Sequence, residues 1–544
     1  MSNTRVDIPA ISISRGTTRR SFLTWTAAVS AAAFTPAMLG GTAEAQSSLP
    51  AGSLGSGSMR LDNPFALGVA SGDPLPDSVI LWTRLAPKPL EIGGGMPPVA
   101  IPVEWEIATD EAFGSVVDRG TAIADPAHAH SVHVDVKGLE AWRVYYYRFR
   151  AGGSESPVGR TRTSAPLGAD LGSLSFAWAS CQAWHDGYYN AYEDMAEREN
   201  DVIFFLGDYI YESELKDNGI RDMSALSADV RAEPYTLDQY RLRYGLYKSE
   251  EPLQRAHASA PWIVTMDDHE VDNNWAAEIS QDDDDPVEFL SRRAQAFKVW
   301  WEHTPTRVTA PTGPDMRIYR RTDYGNLVRF SVLDTRQYRS NQVHDDKDSP
   351  QDAETADPSR TITGDEQEKW ILDGLDSSPT AWNVLAHQTV ISDLPRVKDG
   401  QRNVSMDGWS GYEASRHRIL DGAAERGAKN LVSIVGDIHR NAFSELRRDY
   451  EDASPAVGVE FAGTSIASGK DGADSDEANE GFKSSSEAFK FGNAQRGYIA
   501  VKVDKNEWTT EVRVTDKNTA PGQKLHRRAT VTVPSGRPEL NVQE

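Results

Sequence analysis

The chain has 544 residues, 39% of them hydrophobic, with a formal net charge of -24 and one cysteine, Cys181. That length allows two or more domains and a sizeable core, while a lone cysteine rules out an intramolecular disulfide. The acidic balance argues against nonspecific nucleic-acid binding, which needs basic patches, and no uninterrupted apolar run is long enough to span a bilayer.

The chain opens with Thr18-Arg19-Arg20-Ser21-Phe22-Leu23, a twin-arginine pattern. A modestly apolar stretch, Phe22 to Leu39, follows, and then Ala43-Glu44-Ala45, an A-x-A-like cleavage site. In that order the three features predict a signal peptide over residues 1–45, read by the twin-arginine export machinery, and a periplasmic or secreted product. The alternatives are an amphipathic start to the domain or an uncleaved anchor. That export route carries folded proteins, which suits a metal acquired in the cytoplasm. Gln46–Met59 is a Ser/Gly-rich lead-in. Loss of residues 1–45 removes Arg5, Arg15, Arg19 and Arg20 against Asp7 and Glu44, so the mature chain is more acidic still. Such a surface repels anionic substrates unless local cations reverse the field.

Residues 46–165 form the predicted first domain. Val79–Trp82, Val103–Ala108, Ser131–Val136 and Val144–Phe149 are apolar or alternating and β-branched, with Gly, Pro and Asp between them. The spacing suits a small sandwich of the fibronectin type III kind. His128, His130 and His133 have metal-like spacing but read as turn and strand-surface residues. The role of this domain is not written in its residues.

Residues 166–544 form the predicted second domain, where strands alternate with helical stretches, the pattern of a layered α/β fold. Leu174–Ala179 ends in Ser180-Cys181-Gln182. Tyr189–Arg198 is a helix candidate. Val202–Leu206 runs into Gly207, Asp208 and Tyr211. Trp262–Met266 ends in Asp267-Asp268-His269-Glu270, then Asn273 and Asn274. Leu327–Leu333 ends in Asp334-Thr335-Arg336, Asn383–Ala386 in His387, and Leu431–Val435 in Gly436-Asp437-Ile438-His439. Six apolar runs thus deliver polar side chains at the same end, where α/β sheets place their chemistry. If the strands share one sheet, those side chains converge. A thiolate, a phenolate and carboxylates suit a trivalent iron, and oxygen-rich sets suit calcium. One carboxylate can bridge two ions that clamp a phosphoester and activate a water.

Each piece has an ordinary alternative. Cys181 is a small buried hydrophobe in most settings, Asp267–Glu270 could cap a helix, His439 could be a core histidine, and Asp334-Thr335-Arg336 a structural ion pair. The repeated placement at strand ends is what favours a site.

The chain resembles the PhoD-like alkaline phosphatases, a branch of the calcineurin-like metallophosphoesterases related to purple acid phosphatases. The matching stretches are A-S-C-Q at 179–182, G-D-Y-I-Y-E at 207–212, D-D-H-E-V-D-N-N-W at 267–275, L-D-T-R-Q-Y-R at 333–339, G-D-E-Q at 364–367, D-G-W-S-G-Y at 407–412 and G-D-I-H at 436–439. The resemblance implies Fe3+ held by Cys181, Asp208, Tyr211 and His439. It also implies Ca2+ nearby, with Asp208 bridging and Asp268 and Asp437 as further ligands. His269 falls where relatives steady the phosphate or protonate the leaving group. Purple acid phosphatases carry histidine where Asp437 stands, which disfavours a softer second metal here. Val384-Leu385-Ala386-His387 matches their V-x-x-H, although PhoD-like chains often carry glutamine at that point, so the part played by His387 stays open.

Arg336 and Arg339 could hold phosphate bidentately or pair within the fold. Asp407–Tyr412 could form a lid or substrate wall. Asp282–Asp285 reads as a solvated acidic loop, Trp300-Trp301 as helix packing, and Ala467 to Glu487 as a mobile Ser/Gly/Asp-rich loop. Thr510–Val514 and Ala529–Val533 read as closing strands. The chain is thus expected to be a monomeric exported phosphoesterase using metal-activated hydroxide. The rivals are a diesterase or phospholipase on the same scaffold and a noncatalytic cell-surface binding protein.

Overall fold

The computed structural model describes residues 60–398, 400–450 and 454–544, so the predicted export signal and lead-in lie outside the described residues. Among the described residues no helix is long and apolar enough to cross a membrane.

The six strands that end in candidate polar residues do not share one sheet. Leu174–Ala179, Val202–Leu206 and Pro261–Thr265 are parallel neighbours in a ten-stranded sheet. Val328–Val332, Trp382–Ala386 and Leu431–Val435 are parallel neighbours in a seven-stranded sheet, which Ala456–Ala462 extends. The reason is the sequence of these strands: they are apolar on both faces, and a sheet buried on both faces needs a second layer on each side. One face of each sheet meets the other sheet through Phe176, Phe204, Phe330, Phe461 and Trp508, with the Phe204 and Phe330 ring centres 4.5 Å apart. A fully buried Phe contributes about 1.5–3 kcal/mol, so this seam is a large share of the core.

Helices cover the outer faces. Leu237–Lys248 and Pro286–His303 bury Tyr240, Phe289, Phe297 and Trp300 against the ten-stranded sheet. The first starts at a capping box, Thr236 with Gln239. The second starts at Asp285, whose side chain accepts from the amides of Val287 and Glu288, with Pro286 in the first turn. The last residue of the acidic 282–285 loop is therefore a helix cap. Gly364–Asp376 and Glu413–Glu425 cover the seven-stranded sheet through Ile371, Leu375, Ile419 and Leu420.

The N-terminal β-region is a sandwich, but one of its layers is not its own. Ile101–Ala108, Val116–Ala124, Val144–Ala151, Ser154–Glu155 and Gly159–Arg162 make a separate five-stranded sheet. Val69–Leu75, Ser78–Arg84 and Ser131–Lys137 instead continue the ten-stranded sheet, joined where Ser71 and Gly72 pair in parallel with Pro261 and Trp262. Val79, Leu81 and Val134 face Val103, Tyr147 and Phe149 across the gap. Gly72 permits the junction, since a Cβ there would lie 2.0 Å from the Pro305 carbonyl oxygen. The predicted late strands are present as Glu507–Thr515 and His526–Pro534, at the far end of the same sheet.

Candidate metal centre

The strand ends of both sheets open onto one place, and the backbone there is strained. Cys181, Asp208, Asp437 and His439 all have left-handed backbones, with φ of 59°, 59°, 64° and 53°. A non-glycine residue in that region costs about 1–3 kcal/mol and persists only where its surroundings fix it. The turns are laced together: the amide of Cys181 donates to the Gly207 carbonyl and that of Gln182 to the Asp208 carbonyl, each at 3.1 Å, and the amide of Ser468 donates to the Cys181 carbonyl at 3.2 Å. Each sharp turn directs a side chain back over the sheet edge.

Two groups of potential ligand atoms result, each within 4.8 Å: Cys181, Asp208 and His439, and Asp208, Asp268 and His269. Asp208 belongs to both. Tyr211 completes the first, its phenol oxygen 2.9 Å from Asp208 Oδ2 and 3.0 Å from His439 Nε2. The Ser468 hydroxyl donates to the same phenol oxygen at 2.8 Å and accepts from the Ala183 amide at 3.0 Å. Ser468 lies in the stretch expected to be a mobile loop. The structure finds instead a bonded turn there, followed by the helix Glu477–Ser485 capped by Asp476.

The donor set fits a cation. Asp208 Oδ1 and Asp268 Oδ1 are buried with no hydrogen-bond partner, a costly state for carboxylate oxygens that a bound cation relieves. Burial, aided by the charges of Asp268 and Asp267, pushes the Asp208 carboxyl well up. Burial and the charge of Asp208 do the same to the Cys181 thiol. Burial and the charge of Arg496 push His439 down to about 3, leaving the imidazole neutral, the form that binds metal. Asp437 lies outside both tight groups, though its charge reaches Cys181 and Arg336. It lines a cavity of about 60 Å³ with Val390, Leu394, Ile438 and Phe482.

His269 sits at the mouth of the centre. Its Nδ1 bonds Glu212 Oε2 at 2.7 Å, its Nε2 lies 4.0 Å from Asp268 Oδ2, and its ring stacks on Tyr211 with centres 4.1 Å apart. Burial favours the neutral ring, but the charges of Glu212, Asp268 and Asp208 outweigh it and hold the imidazole well above its ordinary range. Glu212 is buried and also accepts from the Asn273 amide at 3.0 Å. The sequence reading gave this residue no role; its position one after Tyr211 was the available signal.

Arg336 is fully buried and turned toward acids of the fold. Its Nε donates to Asp267 Oδ1 at 2.6 Å, and its two terminal nitrogens make a parallel pair with Asp407 at 2.8 and 2.9 Å. Asp268 Oδ1 lies 3.5 Å away. Arg339 also bonds Asp407, through its carboxylate and, at 3.0 Å, its carbonyl. Burial works against ionisation of Asp407, but Arg336 and Arg339 hold it well below the usual carboxylate range. The 407–412 segment is therefore tied down at its first residue by two arginines.

Other histidines stay apart. His387 Nε2 bonds the Ser433 hydroxyl at 3.0 Å, and His387 joins neither ligand group. His133 stacks on Trp301 with centres 4.3 Å apart and bonds the Thr304 carbonyl at 2.9 Å, while His130 bonds that of Val99 at 3.1 Å.

Known proteins share this arrangement of chain. Residues 176–512 match the family model described as PhoD-like phosphatase, and residues 52–165 match PhoD-like phosphatase, N-terminal domain. The chain is 45% identical over 472 residues to alkaline phosphatase D of Bacillus subtilis (strain 168), covering 86% of this chain and 80% of that protein. The solved structure of PhoD matches with a TM-score of 0.85 at 43% identity, over 88% of this chain and 92% of that one.

Proposed function

The chain belongs to the PhoD-like phosphatases, and from that premise we propose that it hydrolyses phosphate mono- or diesters at a metal centre built on Asp208. The observation that carries this is the membership of Asp208 in both ligand groups, the position of a bridging carboxylate. Cys181, Tyr211 and His439 complete a mixed sulfur, phenol and nitrogen set suited to Fe3+. Asp268, with Asp437 outside the tight groups, would supply oxygen donors suited to Ca2+. Bound there, the ions would supply an activated hydroxide and offset charge on the phosphoryl oxygens.

The chain's own residues prepare that chemistry. Glu212 holds Nδ1 of His269, which fixes the ring and leaves Nε2 as the nitrogen facing the centre. A proton held on Nε2 is available to the departing alkoxide. Arg336 acts as a positioning residue: it fixes Asp267 and stands beside Asp268, with its forked face spent on Asp407. Tyr211 packs under the His269 ring. The finer assignments belong to the same proposal: a signal over residues 1–45 and a periplasmic or secreted enzyme, a fibronectin-III-like sandwich over 46–165, and a metallophosphoesterase domain over 166–544.

Elemental analysis of natively exported protein, paired with monoester and diester assays, tests the reading. Iron and calcium are expected with activity, and Asp208→Asn is expected to remove metal and rate together. A folded, fully metallated sample inactive on every phosphoester would overturn it. The ratio of rates on the paired substrates separates a phosphatase from a diesterase.

A further inference from the structure

We propose that Glu270 is the positioning residue of the metal centre, fastening the loop of Asp208 to the loop of Asp267 and Asp268 so that the ligand positions exist before an ion binds. This rests on the metal reading above. Glu270 is fully buried. Its Oε1 accepts from the Tyr209 amide at 2.5 Å, and its Oε2 from the amides of Asp208 at 3.1 Å and Asp267 at 2.8 Å. Those three donors follow two adjacent strands, Val202–Leu206 and Pro261–Thr265.

The left-handed turn at Asp208 carries its amide out of the strand ladder, and a buried amide needs an acceptor. Only a carboxylate offers two acceptor oxygens on one side chain. Glutamine keeps one and sets an N–H2 against an amide N–H. The loops also touch directly, since a Cβ on Gly207 would lie 2.4 Å from the Asp267 Cβ. The bonds of Glu270 are all to backbone, so it takes up none of the carboxylate oxygens of Asp208 or Asp268. Partners that orient a metal's ligands typically govern metal affinity by about 10–100-fold.

A second buried glutamate supplies the control. Glu460 accepts from the amides of Ile391 at 2.9 Å and Ser392 at 2.8 Å and from the Ser433 hydroxyl at 2.8 Å. Its partners include no candidate ligand.

The experiment titrates Co2+ into chelator-stripped full-length protein, followed by visible absorption, alongside thermal unfolding of the metal-free forms. Glu270→Gln is expected to weaken Co2+ binding about tenfold or more and alter the cobalt spectrum. Glu460→Gln is expected to lower the melting temperature while leaving Co2+ affinity within about twofold, as a change whose hydrogen-bond partners include no candidate ligand should. Equal Co2+ affinity and spectrum in Glu270→Gln and the parent overturn the role of Glu270. No Co2+ binding by the parent overturns the metal reading itself. Should Glu270→Gln not fold, amide hydrogen exchange in the metal-free parent decides. Protection of Asp208, Tyr209 and Asp267 equal to that in the Co2+-loaded protein supports pre-formed loops. Protection that arises only with Co2+ overturns them.

Discussion

Tyr211 and His439 stand 228 positions apart, yet the phenol oxygen of one lies 3.0 Å from Nε2 of the other. Tyr211 follows a strand of the ten-stranded sheet and His439 a strand of the seven-stranded one, so this contact closes the edge between the two sheets. The same oxygen meets Asp208 and Ser468. Tyr211→Phe keeps the ring on His269 and removes the oxygen from three partners, two buried and one half-buried. The metal-free variant is expected to lose about 1–3 kcal/mol of stability through unsatisfied polar groups. Its bound metal is expected to fall in step with activity. Urea unfolding and elemental analysis of the same preparation check both; unchanged metal content would remove Tyr211 from the candidate ligands.

Arg336→Lys is not a conservative change, because one ammonium cannot reproduce a parallel pair to Asp407 together with a bond to Asp267. Leaving buried carboxylates short of their partner is expected to cost about 3–5 kcal/mol. Asp407→Asn removes one of those carboxylate charges, so the double variant should cost less than the sum of the single ones. A double-mutant cycle by urea unfolding measures this; strict additivity would show that the pair is not coupled.

Gly207→Ala tests how closely the two ligand loops approach. The backbone there has φ of 109°, and the added Cβ would lie 2.4 Å from Asp267 Cβ and 2.7 Å from its amide nitrogen. Backbone strain of about 1–3 kcal/mol and overpacking of about 1–3 kcal/mol act together. Both a lower melting temperature and loss of bound metal are expected, checked by calorimetry and elemental analysis.

The candidate strand ends were legible because five of the six strands are short apolar runs stopped by Gly, Asp or Ser, and a strand's end fixes where the next side chain emerges. That placement marked Cys181, Asp208, Tyr211 and His439 as polar residues at strand ends, and the resemblance joined them into one ligand set. The division into two sheets was not legible. A run apolar on both faces fits a middle layer of any stack, and its partner is chosen by rings such as Phe204 and Phe330 meeting at long range. The buried pairing of Arg336 with Asp407 was equally hidden, since nothing local separates an arginine that binds phosphate from one that binds a carboxylate. Ser468 and Glu270 act through backbone amides, and no spacing rule announces such bonds.

Lys248 offers a pH-dependent test away from the metal ligands. It is buried, with its ammonium 4.3 Å from the centre of the Trp82 ring and 5.2 Å from that of Tyr209. Burial lowers it from 10.5 to about 7. The groups that feel its charge, His257 and His303, are themselves held neutral by burial and so do not titrate across the same range. Between about 7 and 10.5 the unfolded chain binds more protons at this site than the folded one, so its contribution to stability rises with pH across that window. Below about 7 the folded protein carries the buried charge and the penalty is complete. At about 1.4 kcal/mol per pH unit the penalty is at most on the order of 4–5 kcal/mol, and attraction to the two rings offsets about 1–2 kcal/mol of it. Lys248→Met removes charge and penalty together while keeping a side chain of similar length. At pH 6 the variant is expected to be more stable than the parent by about 2–4 kcal/mol, from those same two terms. The advantage should shrink steadily and vanish near pH 10.5, where the lysine is neutral even in the unfolded chain. Urea unfolding of both proteins at pH 6, 8 and 10 measures it. A difference that does not change with pH would mean the ammonium is solvated in the folded protein.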